Sequence, residues 1–314
     1  MFKPDCATIS RKRLHGNPGD LEQTMKKLTS LSEAVGSIPS GAHVALSGFA
    51  ITRCAMAFAR EVIRQKIRGL TLSQCVGGLD TDLLAGAGAA DHLIYGGGSL
   101  DRFGLLAWVN AGIESGSLRA EEYSSLSIAF RYLAASLGLP FIPIRSLSGS
   151  DLLNRIKEKS GSDVAFVADP FTGDPWLTLK PLVPDVAVLQ AQVADEEGNS
   201  WIMGPRWDNA EQARAAKRTI VIAERVVPTE VIRRDPERCA VPNLLVSHVV
   251  ALPFAAHPTS VYREYDYDPD EIMRYVEAAK APQDFKNYLD KYVYGVRDHW
   301  EYLDRVGGLR RLQT

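Results

Sequence analysis

The apolar runs constrain this chain most. Between residues 43 and 252 β-branched and aliphatic residues collect into short stretches: His43–Phe49, Leu70–Cys75, His92–Tyr95, Phe141–Ile144, Val164–Ala168, Val186–Gln192, Thr219–Ala223 and Val246–Leu252. Several are apolar at nearly every position instead of at alternate ones, which predicts strands covered on both faces. Longer amphipathic stretches lie between them and predict helices: Ser30–Ser37, Cys54–Lys66, Thr81–Ala87, Leu105–Ser115, Ser124–Leu137, Asn209–Ala216 and Pro228–Arg234. Thr81-Asp82, and Asn209 with Glu211, read as capping residues at two of their starts. Strands that need cover on both faces, alternating with helices, predict an α/β fold with an open, mostly parallel sheet flanked by helices.

Three segments are expected. Residues 1–27 carry Gly16, Pro18 and Gly19 without apolar periodicity and read as a flexible leader. Residues 28–261 hold the strand–helix alternation. Residues 262–314 form a helical, aromatic extension, with helices starting near Pro269-Asp270 and after Pro282. Eight of the 11 tyrosines fall there: Tyr262, Tyr265, Tyr267, Tyr275, Tyr288, Tyr292, Tyr294 and Tyr302. A ring with an apolar body and a polar tip suits a surface half-covered by a partner, so the extension is expected to pack on the domain or on a partner chain.

Charge excludes some functions. Lys plus Arg is 36 and Asp plus Glu is 38, a net charge of -2, so no overall basic field attracts nucleic acid or an anionic membrane. No apolar run reaches the roughly 18 residues of a spanning helix. The N-terminus lacks the apolar stretch of a secretory signal. Cys6, Cys54, Cys75 and Cys239 are scattered, which argues against a disulfide framework or a zinc site and for reduced thiols in a cytoplasm. The six histidines lack ligand spacing, so no metal is expected.

Familiar catalytic motifs are absent: no P-loop, no G-x-G-x-x-G, no G-x-S-x-G, no H-E-x-x-H. Glu114, Glu121 and Glu122 read as solvated residues of a helix–loop–helix region, and no carboxylate pair stands out as an acid/base couple. The glycine turns carry more. Ser47-Gly48-Phe49 follows a predicted strand, and a helix begins near Cys54. Such a turn lets backbone amides approach an anion at a helix start, and the planar fork of Arg53 suits a carboxylate or phosphate. Gly77-Gly78 follows the next strand, and Gly96-Gly97-Gly98-Ser99 the one after. Turns after successive parallel strands gather at one sheet edge, where ligands bind. Together they predict a backbone-lined pocket for a thioester, carboxylate or phosphate.

In their order along residues 28–308, these motifs resemble the alpha subunit of class I coenzyme A transferases of the glutaconate CoA-transferase type. Ser47-Gly48-Phe49 with Arg53 looks like the family's glycine–glycine–phenylalanine loop. Ala194-Asp195-Glu196-Glu197-Gly198-Asn199 is similar to its alanine–aspartate–x–x–glycine–asparagine turn. The stretches Leu137–Pro143, Ile232–Pro236, Pro253–Pro258 and Tyr265–Asp268 match as well. The resemblance implies an open sheet shared with ribose-phosphate isomerases, and covalent catalysis in which a glutamate takes the acyl group and then the CoA thiolate. In two-subunit members that glutamate lies in a glutamate–asparagine–glycine triplet of the beta subunit. This chain has no such triplet, so no catalytic residue is assigned to it.

The resemblance therefore implies one wall of a shared site: Ser47, Gly48 and Phe49 for backbone contacts, Arg53 for the substrate carboxylate, and Gly77, Gly78, Gly97 and Ser99 as further lining. It implies acyl-CoA and a carboxylic acid as substrates, no permanently bound cofactor, and a beta-subunit partner in a heterotetramer or larger assembly. There are departures. Ser47 replaces a glycine, Ala55 replaces a proline, and Gln190 stands where many relatives have histidine. A related branch that opens rings by hydrolysis of CoA thioesters uses a glutamate where this chain has Ser125. A hydrolase subunit of the same fold, or a non-catalytic scaffold subunit, is the alternative.

Overall fold

A computed structural model describes residues 27–160 and 163–308; the expected leader, save Lys27, lies outside them. In chain order the strands are β1 (His43–Leu46), β2 (Leu70–Gln74), β3 (Ala90–Tyr95), β4 (Arg119–Glu122), β5 (Ile142–Ile144), β6 (Val164–Ala168), β7 (Pro175–Leu179), β8 (Val186–Asp195), β9 (Ser200–Trp201), β10 (Arg218–Val227), β11 (Cys239–Val241) and β12 (Val246–Ala251). The helices are α1 (Leu31–Gly36), α2 (Met56–Arg64), α3 (Leu79–Gly86), α4 (Ala107–Ser115), α5 (Ser125–Ser136), α6 (Asp151–Ser160), α7 (Asn209–Ala215), α8 (Thr229–Arg233), α9 (Pro269–Ala278), α10 (Pro282–Leu289) and α11 (His299–Val306).

The parallel part of the main sheet runs β12-β10-β8-β1-β2-β3-β4, and the antiparallel pair β9 and β11 extends the far end of β8. This is the open, mostly parallel architecture the apolar runs predict. On one face Val44, Leu46, Val186, Val188, Ile220 and Ile222 enter one core cluster. On the other, Ala45, Ala187, Leu189, Val221 and Ala223 enter a second. Both parities of each strand are buried, which is why these runs do not alternate. From β1 to β4 the chain advances in one direction, then returns to lay β8 beside β1 and continues the other way. The order therefore reverses between β1 and β8, and ligands of open α/β sheets bind outside the strand C-termini at such a switch.

The structure departs from the sequence reading in four places. Phe141–Ile144 and Val164–Ala168 do contribute strands, but to a separate three-stranded antiparallel sheet, β5-β7-β6. Arg119–Glu122 is an edge strand, not part of a helix–loop–helix, and Glu121 is buried, receiving Arg119 Nη2 at 2.6 Å and His92 Nε2 at 3.0 Å. α3 begins at Leu79 after Gly78 with no side-chain cap, so Thr81 and Asp82 lie within it. α7 has Asp208, not Asn209, at its N-cap, again without a side-chain hydrogen bond.

The C-terminal segment shares the first core cluster. Tyr275, Tyr288, Tyr292 and Tyr302 pack there with residues of β1 and α2, whereas Tyr262 and Tyr294 remain exposed. The Arg60 guanidinium lies 3.6 Å from the Tyr302 ring centroid, and Tyr275 and Tyr288 meet edge to face at 5.5 Å. For those four rings, cover comes from this chain's own body.

One buried carboxylate joins the segment to the sheet layer. Asp82 Oδ1 accepts from Trp108 N at 2.8 Å and Val109 N at 2.9 Å, supplying α4 with the cap its own Leu106 cannot give. Asp82 Oδ2 accepts from Tyr275 Oη at 2.7 Å. Burial, opposed by these donors, raises the Asp82 carboxyl to about 6. The stability tied to this raised value is present below the unfolded value near 3.8 and is lost as pH climbs through about 6. Tyr275→Phe removes a donor that favours the ionised form. The expected loss in urea unfolding is about 1–3 kcal/mol at pH 8 and smaller at pH 5; equal losses at both pH values would contradict ionisation of Asp82 in the folded protein.

Candidate functional site

The switch point is occupied by the turn that leaves β1. Ser47 N donates to Val188 O at 3.0 Å, and Gln74 Nε2 donates to Ser47 O at 2.9 Å. Ser47 Oγ accepts from Gln190 N at 3.0 Å and donates to Arg53 O at 3.3 Å. The hydroxyl of the residue that replaces a glycine is thus spent closing the turn. Gly48 has φ +96°, and a Cβ there would fall 2.7 Å from Arg53 O, so only glycine fits. Ala50 and Arg53 also sit in the left-handed region, at φ 55° and 52°. Non-glycine residues there cost about 1–3 kcal/mol each and persist where their surroundings impose them.

Arg53 is buried at 1% exposure, not solvated. Its Nη2 donates to Pro205 O at 2.5 Å and Asn209 Oδ1 at 3.2 Å, and its guanidinium lies 5.0 Å from the Trp207 ring centroid. Trp207 in turn stacks on Phe49, at 5.0 Å and 14°. Burial lowers the guanidinium to about 10, partly offset by Asp208, so it stays charged. Asp208 is raised to about 6 by burial. Around this point Arg53 Nη1, Asp208 Oδ1, Asn209 Nδ2 and Gln212 Oε1 have no hydrogen-bond partner among the described residues.

The amides at the start of α2 are already occupied: Cys54 N donates to Thr259 Oγ1 at 3.2 Å and Ala55 N to Asp80 Oδ2 at 2.9 Å. The Gly48 amide, by contrast, has no partner among the described residues. The Ala50 and Ile51 amides of the same turn likewise have none there.

The other two glycine turns come to the same place. Gly77 N donates to Gly97 O at 2.9 Å, and Ser99 N donates to Gly77 O at 3.1 Å. A Cβ on Gly78 would lie 2.2 Å from Ala50 O and 2.7 Å from Cys54 Sγ, so the second turn touches the first. A Cβ on Gly97 would meet nothing within 4 Å, and the turn is open above it. Ser99 Oγ accepts from Asp101 N at 2.9 Å. Ser125 Oγ donates to Gly96 O at 3.1 Å. The eight residues expected from the sequence therefore lie along one sheet edge.

Other residues complete this edge. Glu224 continues β10 and is buried. Its Oε1 accepts from Gln190 Nε2 at 2.6 Å and Tyr265 Oη at 2.8 Å, and its Oε2 from Phe254 N at 2.5 Å. Burial, opposed by these donors, raises it to about 7. A cleft of about 610 Å³ opens beside the turn, with Thr52, Pro205, Trp207, Tyr262 and Tyr265 in its walls. Glu224 and Trp207 carried no motif. The signal present in the sequence was polarity within apolar runs: Gln190 and Gln192 at alternate positions of β8, and Glu224 directly after Ile220–Ala223. The described cysteines, Cys54, Cys75 and Cys239, are free; burial pushes the Cys75 thiol up to about 12, which leaves it unreactive.

Thr52 brings the first glycine turn to the wall of this cleft. Comparison with known proteins identifies relatives along most of the chain. An uncharacterized protein of Archaeoglobus fulgidus is 38% identical over 291 residues, 91% of this chain, which spans only 64% of that relative's length. The alpha chain of glutaconate CoA-transferase from Acidaminococcus fermentans is 33% identical, covering 91% of this chain and 93% of its own. The crystal structure of that enzyme superposes with a TM-score of 0.87 over 91% of this chain and 94% of that one. The corresponding chain of 3-oxoadipate CoA-transferase from Pseudomonas knackmussii is 32% identical over 90% of this chain and 99% of its own. The sequence pattern described as coenzyme A transferase matches residues 28–252, and the chain belongs to that family.

Proposed function

We propose that this chain is the alpha component of a two-subunit class I CoA-transferase, moving CoA from an acyl-CoA to a carboxylic acid. The observation that carries the reading is the meeting of three glycine turns around an unpaired Gly48 amide at the sheet switch. The partner subunit supplies the nucleophile. Its glutamate carboxylate attacks the thioester carbonyl, and the negative charge that develops on that oxygen faces the Gly48 amide. Collapse expels CoA thiolate and leaves an acyl–glutamyl anhydride. The thiolate attacks the glutamyl carbonyl, releasing the first acid and forming a glutamyl-CoA thioester. An acceptor carboxylate then repeats the two steps in reverse and leaves with the CoA.

Ser47, Phe49, Gly77, Gly78, Gly97 and Ser99 build and flank the turn in this reading. Arg53 acts differently from the expectation of a direct carboxylate contact. With its guanidinium in the interior, it fixes the turn against Pro205 and Asn209. A hydrolase of the same architecture would deliver the glutamyl thioester to water instead of to an acid. Here Ser125, bonded to Gly96 O, offers no carboxylate for that purpose.

Two tests follow. Co-purified with its partner and given acyl-CoA, the enzyme should lose activity to borohydride, with a reduced glutamyl thioester found on the partner by peptide mass. Retained activity after that treatment would overturn the transferase reading. Arg53→Ala should lower kcat by about 10- to 100-fold with a smaller change in KM, the scale of a misplaced reacting group. A rise in KM for the acid at constant kcat would restore direct carboxylate binding to Arg53.

A further inference from the structure

The first glycine turn is gripped at both ends by relays that meet in one carboxylate. At its start, Ser47 Oγ accepts from Gln190 N at 3.0 Å, and the Gln190 side chain donates Nε2 to Glu224 Oε1 at 2.6 Å. At its far end, Arg53 N donates to Ser260 O at 2.8 Å, and Ser260 N donates to Ile51 O at 3.0 Å. Ser260 leads into a short loop in which Val261 and Tyr265 exchange two backbone hydrogen bonds, both at 3.0 Å. Tyr265 Oη then donates to the same Glu224 Oε1 at 2.8 Å.

The other oxygen of Glu224 holds a third segment. Oε2 accepts from the N–H of Phe254, a residue at φ 60° in the loop that leaves β12. That loop meets α2, where Ala57 N donates to Ala255 O at 2.9 Å. Non-glycine residues in the left-handed region therefore stand on both sides of Glu224: Phe254 in its direct grasp, Ala50 and Arg53 in the turn at the end of its relays. Such strain concentrates at functional sites, and it persists only where neighbours impose it.

The side chain at 224 is matched to this task. All three partners donate, and an ionised carboxylate is an acceptor alone. A glutamine of the same shape has one oxygen, and its amide group faces a donor instead. With both oxygens engaged and 5% exposure, Glu224 does not itself meet a substrate. Gln190, at 1% exposure, is equally remote. Both act through what they hold.

We propose that Glu224 is the positioning residue of the Gly48 turn, fixing its Ser47 end through Gln190 and its Arg53 end through Tyr265. The inference rests on the transferase reading for the chemistry performed at the turn, and on these contacts alone for the grip.

The test uses the complete two-subunit enzyme carrying Glu224→Leu, Glu224→Gln or Tyr265→Phe. Amide exchange is read at single residues by fragmenting the peptides of residues 47–53, where Ser47, Phe49, Thr52 and Arg53 have bonded amides. In Glu224→Leu these four should exchange about tenfold faster or more, the scale of one lost charge-assisted hydrogen bond, while β8 and β10 stay within twofold of wild type. Tyr265→Phe, which cuts only the far relay, should speed Thr52 and Arg53 and leave Ser47 unmoved. In CoA transfer from acetyl-CoA to butyrate, Glu224→Leu should lower kcat by about 10- to 100-fold with KM within threefold, and Glu224→Gln should recover part of the loss. Exchange in the turn unmoved within twofold would overturn the proposal. Equal acceleration throughout the sheet would do the same, since that is a loss of general stability. Should Glu224→Leu fail to fold, the contrast between Ser47 and Arg53 in Tyr265→Phe decides. A complex that shows the exchange pattern but yields no borohydride-reduced glutamyl thioester would refute the transferase reading and leave the grip standing.

Discussion

The site depends on keeping one strained turn in place. Between Ser47 and Arg53 the backbone passes through the left-handed region at Gly48, Ala50 and Arg53, two of them without the freedom of glycine. Within the turn, Phe49 and Thr52 exchange two backbone hydrogen bonds at 2.9 Å and Ser47 Oγ donates to Arg53 O. It is also held from outside: by Val188 and Gln190 on β8, by Gln74 at the end of β2, by Ser260 and Thr259 on the C-terminal loop, and by Pro205 and Asn209 against the Arg53 side chain. Charge-assisted hydrogen bonds contribute about 1.5–3 kcal/mol each, the same scale as the strain of one such residue. No single tether therefore dominates, and the conformation is the joint result of segments distributed over more than 200 positions.

That distribution explains what could be read from the sequence. The sheet was legible because burial on both faces leaves a chemical trace, the unbroken apolar run, in β1, β8 and β10. β4 was not, because Arg-Ala-Glu-Glu is a strand only by pairing at the sheet edge, where Glu121 finds Arg119 and His92. β5 and β6 were recognisable as strands, but their membership of a second sheet depends on β7, whose Pro175-Trp176 start carries no clear strand signal. The glycine turns were legible because a positive φ and close approach leave only glycine possible. The partners of those turns were not. Gln190, Glu224 and Tyr265 become one network only when β8, β10 and the C-terminal loop meet, and the inward course of Arg53 is set by Pro205 and Asn209.

The tyrosine-rich segment shows the same limit. Composition left open whether the rings pack on this domain or on a partner chain. Four of them complete the core of this chain, and Tyr275 reaches Asp82 at the base of the second glycine turn's helix. The segment thus serves the site indirectly, because α3, which carries the turn at its N-terminus, is anchored through that carboxylate.

A fold of this kind does not name a reaction; the groups facing the glycine turn do. Here two of the three buried carboxylates near the turn have both oxygens in hydrogen bonds. Asp80 accepts from Ala55 N and Thr81 N, and Glu224 has both oxygens in hydrogen bonds. Asp208, with one oxygen bonded to Gln212, is 3% exposed and its carboxyl is raised to about 6 by burial. A nucleophilic carboxylate needs a free oxygen, exposure to the substrate and ionisation at working pH. Each of the three lacks at least one of these, since they are positioned to hold the turn. These hydrogen bonds spend the oxygens of Asp80 and Glu224 on holding the turn and its neighbours, while in the cleft wall Glu264 is paired with Arg225 and Asp266 is exposed.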